Sequence, residues 1–257
     1  MPVFFDQLNR EVNLNVVPIR IISVTPSQTE LLFYLGLDQE IIGVTKFCIH
    51  PADKFKTHVK VGGTKQLDIS KIKDLKPDLI IANKEENERA QIDELMNFSP
   101  VWISDIKNLE DATDMINKVG KLVNRENNAK ILVNNILTEF SKLYLKTERL
   151  CVAYLIWRKP YMVAGNNTFI NDMLTKYGLI NAFEADRYPE VSALMLINAK
   201  PDIVFLSSEP YPFKEKHIAE LKAILPVATI TLVDGEMFSW YGSRLLKAPS
   251  YFLKLLA

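Results

Sequence analysis

The 257-residue sequence has little that would support metal, redox or nucleic-acid chemistry. It contains only two cysteines and three histidines, and neither an HExxH nor a CxxC motif occurs. Two cysteines are too few for a disulfide framework, and the spacing of the histidines matches no common set of metal ligands. Basic and acidic residues both number 31, so the formal net charge is zero. The chain therefore lacks the basic excess that nucleic-acid binding requires.

Long apolar runs are also missing. No stretch approaches the roughly 18 to 20 uncharged apolar residues that a membrane-spanning helix needs. The opening MPVFFDQLNREVNLNVVP has no charged start followed by an apolar stretch and a small-residue cleavage site. These residues therefore predict no secretory signal, and they leave open both a cytoplasmic protein and a chain whose leader precedes this sequence.

Short motifs that carry catalytic or binding chemistry are weak. FCIHP places Cys48 two residues before His50, but an isolated Cys-x-His pair is more often a loop coincidence than a metal site. GGTK at residues 62–65 lacks the longer spacing of a nucleotide-binding loop, so a plain turn is favoured. Cys151 lies in an apolar run and is expected in the core. The sequence thus predicts no metal site, no permanent cofactor and no enzyme activity.

A regular alternation of strands and helices places the chain in the α/β class. Apolar runs predict strands at residues 20–24, 40–45, 78–83, 100–104, 149–157, 161–165, 202–208 and 227–233. Helical spacing predicts helices at residues 27–35, 69–75, 86–98, 108–123, 126–147, 168–178, 192–199 and 240–256. In the first helix Ser27 is the expected N-cap, Glu30 completes a capping box and Gly36 follows the C-cap.

The alternation stops between residues 108 and 147, where two amphipathic helices follow one another. The second is expected to run about 20 residues, or roughly 30 Å, which is long enough to connect two lobes. An ordinary packing helix within a single domain has the same pattern. Because the chain accommodates two domains of ordinary size, we predict lobes at 1–107 and 148–257 with a connecting helical segment at 108–147.

One line of the sequence occurs twice. KPDLIIAN at residues 76–83 returns as KPDIVFLS at residues 200–207. In each copy a Lys-Pro-Asp triplet leads into a continuous apolar run, which is typical of a strand buried on both faces of a parallel sheet. Helix-Pro-Asp-strand joints recur in α/β proteins, so coincidence is the alternative to a duplicated unit.

Aromatic side chains are predicted at strand ends and in loops, and α/β sheets bind ligands beyond the carboxyl ends of their strands. These aromatic residues are Phe47, Trp157, Tyr161, Tyr188, Trp240 and Tyr241. Two such lobes facing each other would form an aromatic-lined cleft suited to a large, flat, partly apolar ligand. The alternative is that these aromatic side chains simply close the core.

Several segments resemble a known family. RIISVTPSQTELLFYLGLDQEIIGVT, DLKPDLIIANKEEN and the long central helix are similar to the cobalamin- and siderophore-type substrate-binding proteins of ABC importers. LIWRKPYMVAGNNTFINDML and RYPEVS resemble the second lobe of the cobalamin-binding branch, and DQLNREV resembles the strand that opens many members. The resemblance implies two Rossmann-like lobes with mainly parallel sheets, joined by a single long α-helix. It also explains the repeated line as the same structural joint in each lobe.

The resemblance implies a function in transport. We expect a protein that binds a corrinoid such as cobalamin in a cleft between lobes, with haem or a ferric siderophore as the nearest variants. A cytoplasmic tetrapyrrole- or metal-handling enzyme or chaperone on the same fold is the alternative from another class. The expected ligand contacts are Ser27, Phe47, Cys48, Asn87, Trp157, Tyr161, Arg187, Tyr188, Trp240, Tyr241 and Arg244.

The resemblance also implies a membrane partner. An acidic residue on each lobe is expected to meet basic residues of an ABC permease, and the matching positions are Glu88 and Glu209. Each follows its Pro-Asp strand by a few residues. The alternative is that both are solvated charges near helix starts. We further expect a monomer that is periplasmic or membrane-associated.

Overall fold

The computed structural model describes residues 3–143 and 150–255. Contacts between Cα atoms divide these residues into two compact units. The first unit comprises the chain up to Ile106, Glu110–Asn135 and Tyr241–Arg244. The second comprises Lys107–Leu109, the described part of Ile136–Trp240, and the chain from Leu245 onward.

The first unit is built on a parallel sheet of five strands in the order β5-β4-β3-β6-β7. These strands are β3 (Ile21–Ser23), β4 (Ile41–Val44), β5 (Val59–Lys60), β6 (Leu79–Asn83) and β7 (Val101–Ser104). A separate antiparallel hairpin precedes them, formed by β1 (Val3–Phe5) and β2 (Glu11–Asn13). The family resemblance predicts one opening strand over DQLNREV. The segment instead contains a turn followed by the start of β2.

Within the described residues, five α-helices precede the second sheet in the sequence. They are α1 (Pro26–Tyr34), α2 (Ile69–Asp74), α3 (Arg89–Met96), α4 (Leu109–Leu122) and α5 (Glu126–Phe140). The apolar strands β3, β6 and β7 are buried along their whole length, as the continuous apolar runs predicted. Asp68 is the N-cap of α2, and its carboxylate accepts a hydrogen bond from the Lys71 amide at 3.0 Å.

The predicted start of α1 was wrong. Thr25 is the N-cap and Pro26 begins the helix, so Ser27 lies inside it and caps nothing. Proline is favoured in the first helical turn because its missing N–H is unpaired there in any case. The predicted helix end is confirmed, since Gly36 follows the C-cap with a φ of +88°, which a side chain would strain.

The helix expected to connect two lobes is shorter than predicted in its described part. α5 has 15 residues rather than about 20, and residues 144–149 lie outside the described part of the chain. Its role as the single connector remains a prediction. None of the described helices is long and apolar enough to cross a membrane.

The second unit contains a six-stranded sheet in the order β11-β9-β8-β12-β13, with β10 also paired to β8. Its strands are β8 (Cys151–Trp157), β9 (Tyr161–Val163), β10 (Ile180–Asn181), β11 (Glu190–Val191), β12 (Ile203–Ser207) and β13 (Thr229–Val233). β10, β8, β12 and β13 are parallel to one another, and β9 and β11 are antiparallel to their neighbours. Its helices are α6 (Phe169–Lys176), α7 (Ala193–Ala199), α8 (Glu215–Ile224), α9 (Glu236–Ser239) and α10 (Ala248–Leu255).

The single terminal helix predicted from Trp240 to Leu256 was wrong. α9 ends before Trp240, which is extended, and a 3₁₀ turn at Ser243–Leu246 precedes α10. A continuous helix would place Pro249 in its interior, where proline removes a hydrogen bond and clashes with the preceding turn. In the structure Pro249 lies in the first turn of α10, where it is tolerated.

The repeated Lys-Pro-Asp line forms the same joint in each unit, as predicted. Lys76 and Lys200 both have left-handed backbones, with φ of 47° and 45°. The Asp78 carboxylate accepts from the Arg20 amide at 3.0 Å, just before β3. The Asp202 carboxylate likewise accepts from the Cys151 amide at 2.8 Å, at the start of β8. In each unit the aspartate thereby aligns the repeated strand with its parallel neighbour.

Candidate ligand-binding site

Asn87 braces the carboxyl-end edge of the first sheet. Its side-chain oxygen accepts from the Asn83 amide at 2.8 Å, and its side-chain amide donates to the carbonyls of Val24 and Thr64 at 3.0 Å. These bonds join the ends of β3 and β6 to the loop after β5. Asn87 is 4% exposed, so the structure places this predicted contact residue beneath the surface as a support for the loops.

Cys48 is also in the interior of the first unit. Its sulfur lies 3.2 Å from both the Thr29 and Thr45 hydroxyls, and the side chain has no exposed surface. Burial raises the pKa of the thiol, which keeps it protonated. The arrangement is that of a packed thiol among hydroxyls.

Phe47 is the exposed aromatic residue of the first unit's carboxyl-end edge. It follows β4 by three residues and is 52% exposed. The Lys46 ammonium lies 5.1 Å from the centre of its ring. Gly63 packs so closely against the Phe47 ring that a Cβ at that position would come within 3.1 Å of it. The structure thus leaves about half of the Phe47 side chain exposed at this edge.

Tyr241 and Arg244 belong to the first unit although they follow the second sheet in sequence. The Tyr241 hydroxyl donates to the Glu86 carboxylate at 2.6 Å. The Arg244 guanidinium donates to both oxygens of Glu30 at 2.9 and 3.0 Å. Burial and the neighbouring Glu86 raise the pKa of Tyr241 well above its ordinary value. Both predicted contact residues are more than nine-tenths buried, and both are anchored to acids.

Ser27 packs against the Tyr241–Arg244 segment. It is 2% exposed in the first turn of α1, and a Cβ on Gly242 would come within 2.6 Å of its carbonyl oxygen. Only glycine permits this close approach. Ser27 therefore supports the Tyr241–Arg244 segment from below.

Trp157 is the exposed aromatic residue of the second unit's carboxyl-end edge. It is the last residue of β8 and is 39% exposed. Its ring meets the Tyr211 ring edge to face, with centroids 5.6 Å apart. Tyr211 in turn contacts Phe213 and His217, so the exposed tryptophan rests on an aromatic cluster. The structure confirms the predicted position of Trp157 at a strand end.

Sequence reasoning missed the carboxylate that organises this edge. Glu220, on α8, accepts two hydrogen bonds from the Nε and Nη2 atoms of Arg158 at 3.0 and 2.6 Å. It also accepts from the Tyr161 hydroxyl at 2.7 Å. Burial and the Glu220 carboxylate raise the pKa of Tyr161 to about 12. No local pattern indicated this cluster, because Glu220 lies 62 residues from Arg158 in sequence.

Arg187 and Tyr188 are half-buried on a turn of the second unit. The Arg187 guanidinium donates to the Asn167 carbonyl at 3.1 Å and lies 5.7 Å from the centre of the Tyr188 ring. The two side chains thus lie together on this turn. Their contact with a ligand remains a prediction.

Trp240 and Glu209 are paired inside the second unit. The indole N–H donates to the Glu209 carboxylate at 3.0 Å, and the Ser239 hydroxyl donates to the same oxygen at 2.6 Å. Trp240 is 7% exposed. Burial, together with Glu236 and Asp234, raises the pKa of Glu209. The carboxylate predicted to meet a permease is therefore engaged within its own unit, and its docking role remains a prediction.

Glu88 contrasts with Glu209. It is the N-cap residue of α3 but makes no side-chain capping bond, and it is exposed. Its position is that expected of a docking charge, and also that of an ordinary solvated acid at a helix start.

Among residues 3–143 and 150–255 no group of three or more His, Cys, Asp and Glu side chains is arranged to hold a metal ion.

Known proteins resemble this chain over most of its length. The vitamin B12-binding protein of Vibrio parahaemolyticus is 25% identical over 213 residues, which is 80% of this chain and 76% of that protein. The petrobactin-binding protein YclQ of Bacillus subtilis superposes with a TM-score of 0.83 at 17% identity, covering 98% of this chain and 97% of that one. The periplasmic heme-binding protein HutB of Vibrio cholerae superposes with a TM-score of 0.80 at 20% identity, covering 93% and 98%.

The structural relatives share the fold of this chain, which confirms the predicted α/β class with mainly parallel sheets. The sequence model of the family described as periplasmic binding protein matches residues 21–225. That range contains both Lys-Pro-Asp joints, the exposed residues Phe47 and Trp157, and the helical segment between the sheets. With most of its length matched in this way, the chain belongs to the periplasmic binding protein family.

Proposed function

We propose that the chain is the substrate-binding component of an ABC importer and that its ligand is a corrinoid such as cobalamin. The observation that carries the proposal is the pair of exposed aromatic side chains at the carboxyl-end edges of the sheets. Phe47 is 52% exposed in one unit and Trp157 is 39% exposed in the other. Large aromatic faces contribute strongly to the binding of flat, partly apolar ligands.

The family match and the vitamin B12-binding relative support this assignment. Haem and ferric siderophores are the competing ligands, because the structural relatives include proteins named for both. A family of binding proteins gives no support to the enzyme alternative. The proposal carries with it an ABC permease as partner and a periplasmic or membrane-associated location.

Titration of the purified protein with cyanocobalamin, haem and a ferric siderophore tests the proposal. Tryptophan fluorescence reports binding, because a bound metal chelate that absorbs in the range of tryptophan emission quenches Trp157 at short range. We expect cyanocobalamin to bind more tightly than the other two. Preferential binding of haem or the siderophore would reject the corrinoid while leaving the importer role in place. Failure of all three would reject both.

A further inference from the structure

Arginine and tyrosine side chains near the carboxyl-end edges of both sheets are bound to carboxylates of their own unit. In the first unit Arg244 pairs with Glu30, and Tyr241 donates to Glu86. In the second unit a single acid, Glu220, holds both Arg158 and Tyr161. Arginine and tyrosine are residues with which proteins commonly bind anions and iron, so their engagement restricts the chemistry of the ligand.

Two arginines are unavailable to an anionic ligand. Arginine recognises a carboxylate by presenting two parallel N–H groups. Arg244 presents its Nε and Nη2 groups to Glu30, and Arg158 presents the same pair of groups to Glu220. To bind a ligand carboxylate, either guanidinium would have to leave its glutamate. The glutamate would then lie unpaired beside a second negative charge, which is electrostatically unfavourable.

Two tyrosines are unsuited to ligating a metal. Tyrosine binds a metal as the phenolate, which requires loss of the hydroxyl proton. The hydroxyls of Tyr161 and Tyr241 instead donate that proton to Glu220 and Glu86, at 2.7 and 2.6 Å. A carboxylate so close opposes a phenolate charge, and burial opposes it further.

We propose that the chain selects an uncharged metal chelate with a complete coordination sphere, and that it recognises the periphery of the chelate through apolar contact. The inference rests on the proposed function, because it specifies which class of chelate the binding protein takes. Glu30, Glu86 and Glu220 are the specificity-determining residues, since each occupies a side chain that would otherwise attract an anion or bind a metal. Trianionic catecholate complexes and metal centres with an exchangeable site are disfavoured.

The charge of Lys46, in the first unit, provides a direct test of the proposed preference for uncharged ligands. It is exposed, and its ammonium lies against the ring of Phe47. If its charge attracted the ligand, affinity would fall at high salt. We expect its contribution to be apolar cover for the aromatic face, through its methylene stem. Lys46→Met should therefore not alter the ranking of neutral over anionic ligands.

Four probes at low and high salt test the inference: cyanocobalamin, aquacobalamin, a neutral ferric tris-hydroxamate and a trianionic ferric tris-catecholate. We expect the neutral probe that binds to change its Kd by less than about threefold with salt, because no ion pair forms. The absorption spectrum of aquacobalamin should not shift on binding, because the Tyr161 and Tyr241 hydroxyls are held by carboxylates and do not displace its water. A spectral shift, a strong loss of affinity with salt or preference for the catecholate would overturn the inference.

The same four probes distinguish the proposed corrinoid-binding function from the inference about uncharged chelates. Salt-independent binding of the tris-hydroxamate in place of cyanocobalamin would reject the corrinoid and support the inference. A corrinoid that binds with displacement of its axial water would support the proposed function and overturn the inference. Binding of none of the four would overturn both.

A charge-neutral variant examines the mechanism directly. Glu220→Gln keeps an acceptor for Tyr161 but no longer neutralises Arg158. We expect the affinity for the tris-catecholate, relative to that for the neutral probe, to rise by about tenfold, which is the scale of one charge-assisted hydrogen bond. Glu215→Gln, an exposed acid on the same helix, is the matched control and should leave the ratio unchanged. Equal ratios in both variants would reject Glu220 as a specificity determinant.

Discussion

The guanidinium of Arg244 donates two hydrogen bonds to the carboxylate oxygens of Glu30, at 2.9 and 3.0 Å. The two residues are 214 positions apart in the sequence. The two side chains are 6% and 13% exposed. The pair fastens the Tyr241–Arg244 segment to α1 of the first unit, where Gly242 allows the close approach.

Removing one partner of this pair should destabilise the protein. We expect Glu30→Gln to lower the free energy of unfolding by about 3–5 kcal/mol, because it removes the carboxylate charge that is paired with a buried guanidinium. Urea unfolding followed by circular dichroism measures the change. The double variant Glu30→Gln/Arg244→Met should lose less than the sum of the single changes.

An exposed ion pair provides the control for this measurement. Glu126 and Lys130 form an i,i+4 pair on α5 whose side chains are 52% and 61% exposed. Solvent screening makes such pairs weak, so Glu126→Gln should cause no measurable change. Equal effects at Glu30 and Glu126 would show that the buried pair contributes nothing beyond surface electrostatics.

Trp157 should contribute to ligand affinity, whereas Trp240 should contribute to stability. Trp157→Ala is expected to weaken cyanocobalamin binding by about 1–3 kcal/mol, because an exposed aromatic face at the strand end is lost. Calorimetric titration measures the change. Leu194→Ala removes another exposed apolar side chain of the same unit, at 65% exposure on α7, and should leave affinity unaltered. Similar losses in both variants would contradict the assignment.

Glu209 should make stability fall as the pH rises. Burial raises the pKa of its carboxyl above the ordinary value of 4.5, so the folded state binds the proton more tightly than the unfolded state does. Its favourable contribution is therefore complete below pH 4.5 and is lost as the pH rises through the raised pKa. Glu209→Gln keeps an acceptor for Ser239 and Trp240 but does not titrate.

Unfolding curves across the pH range measure the effect of Glu209. The stability of Glu209→Gln relative to the unaltered protein should rise between pH 4.5 and neutrality. A difference between the two proteins that is constant over this range would show that the carboxyl does not titrate with a raised pKa.

His217 should act in the opposite sense. Its Nδ1 atom accepts from the Lys214 amide at 2.8 Å at the start of α8, which requires that nitrogen to be unprotonated. Burial and then the charges of Arg158 and Lys216 lower the pKa of His217 below 6.5, whereas Glu220 opposes the shift. Its contribution to stability is complete above pH 6.5 and is lost as the pH falls through the lowered pKa.

Proton NMR of the imidazole resonances measures the titration of His217 directly. We expect the imidazole resonance that disappears in His217→Gln to titrate below 6.5. The variant should also lose part of the stability decrease that the unaltered protein shows on acidification. Titration of His217 at or above 6.5 would contradict the buried capping role.

Glu88 should affect transport without affecting ligand affinity, if a permease recognises it. Glu88→Lys is expected to abolish uptake in a transport assay with the cognate permease, because it reverses a charge at the docking surface. Glu94→Lys is the control, since Glu94 is an exposed acid at the other end of α3. Uptake that survives in both variants would reject Glu88 as a docking residue. Glu209 belongs to the same prediction but is held by Ser239 and Trp240.

Local patterns in the sequence located most of the long elements of the fold, but not the short strands β5, β10 and β11 or the break between α9 and α10. Continuous apolar runs located the fully buried strands β3, β6, β7 and β12, because a strand buried on both faces must be apolar throughout. Apolar runs also located β4, β8 and β13, in which some residues are partly buried or exposed. Gly36 marked the end of α1, since a left-handed residue favours glycine. The repeated Lys-Pro-Asp line predicted one joint in two places, and Asp78 and Asp202 make it in the same way. The positions of Phe47 and Trp157 at strand ends also followed from the sequence, whereas their exposure did not.

Tertiary structure alone decided which side chains at the sheet edges remain available. Asn87, Cys48, Trp240, Tyr241 and Arg244 were predicted to contact ligand, and each is less than 8% exposed. The partners that hold Tyr241, Arg244 and Arg158 lie between 62 and 214 residues away, beyond any helical or strand period. Periodicity reports only which face of an element is apolar. Whether a charged or aromatic side chain is exposed depends on which distant carboxylate the folded chain brings against it.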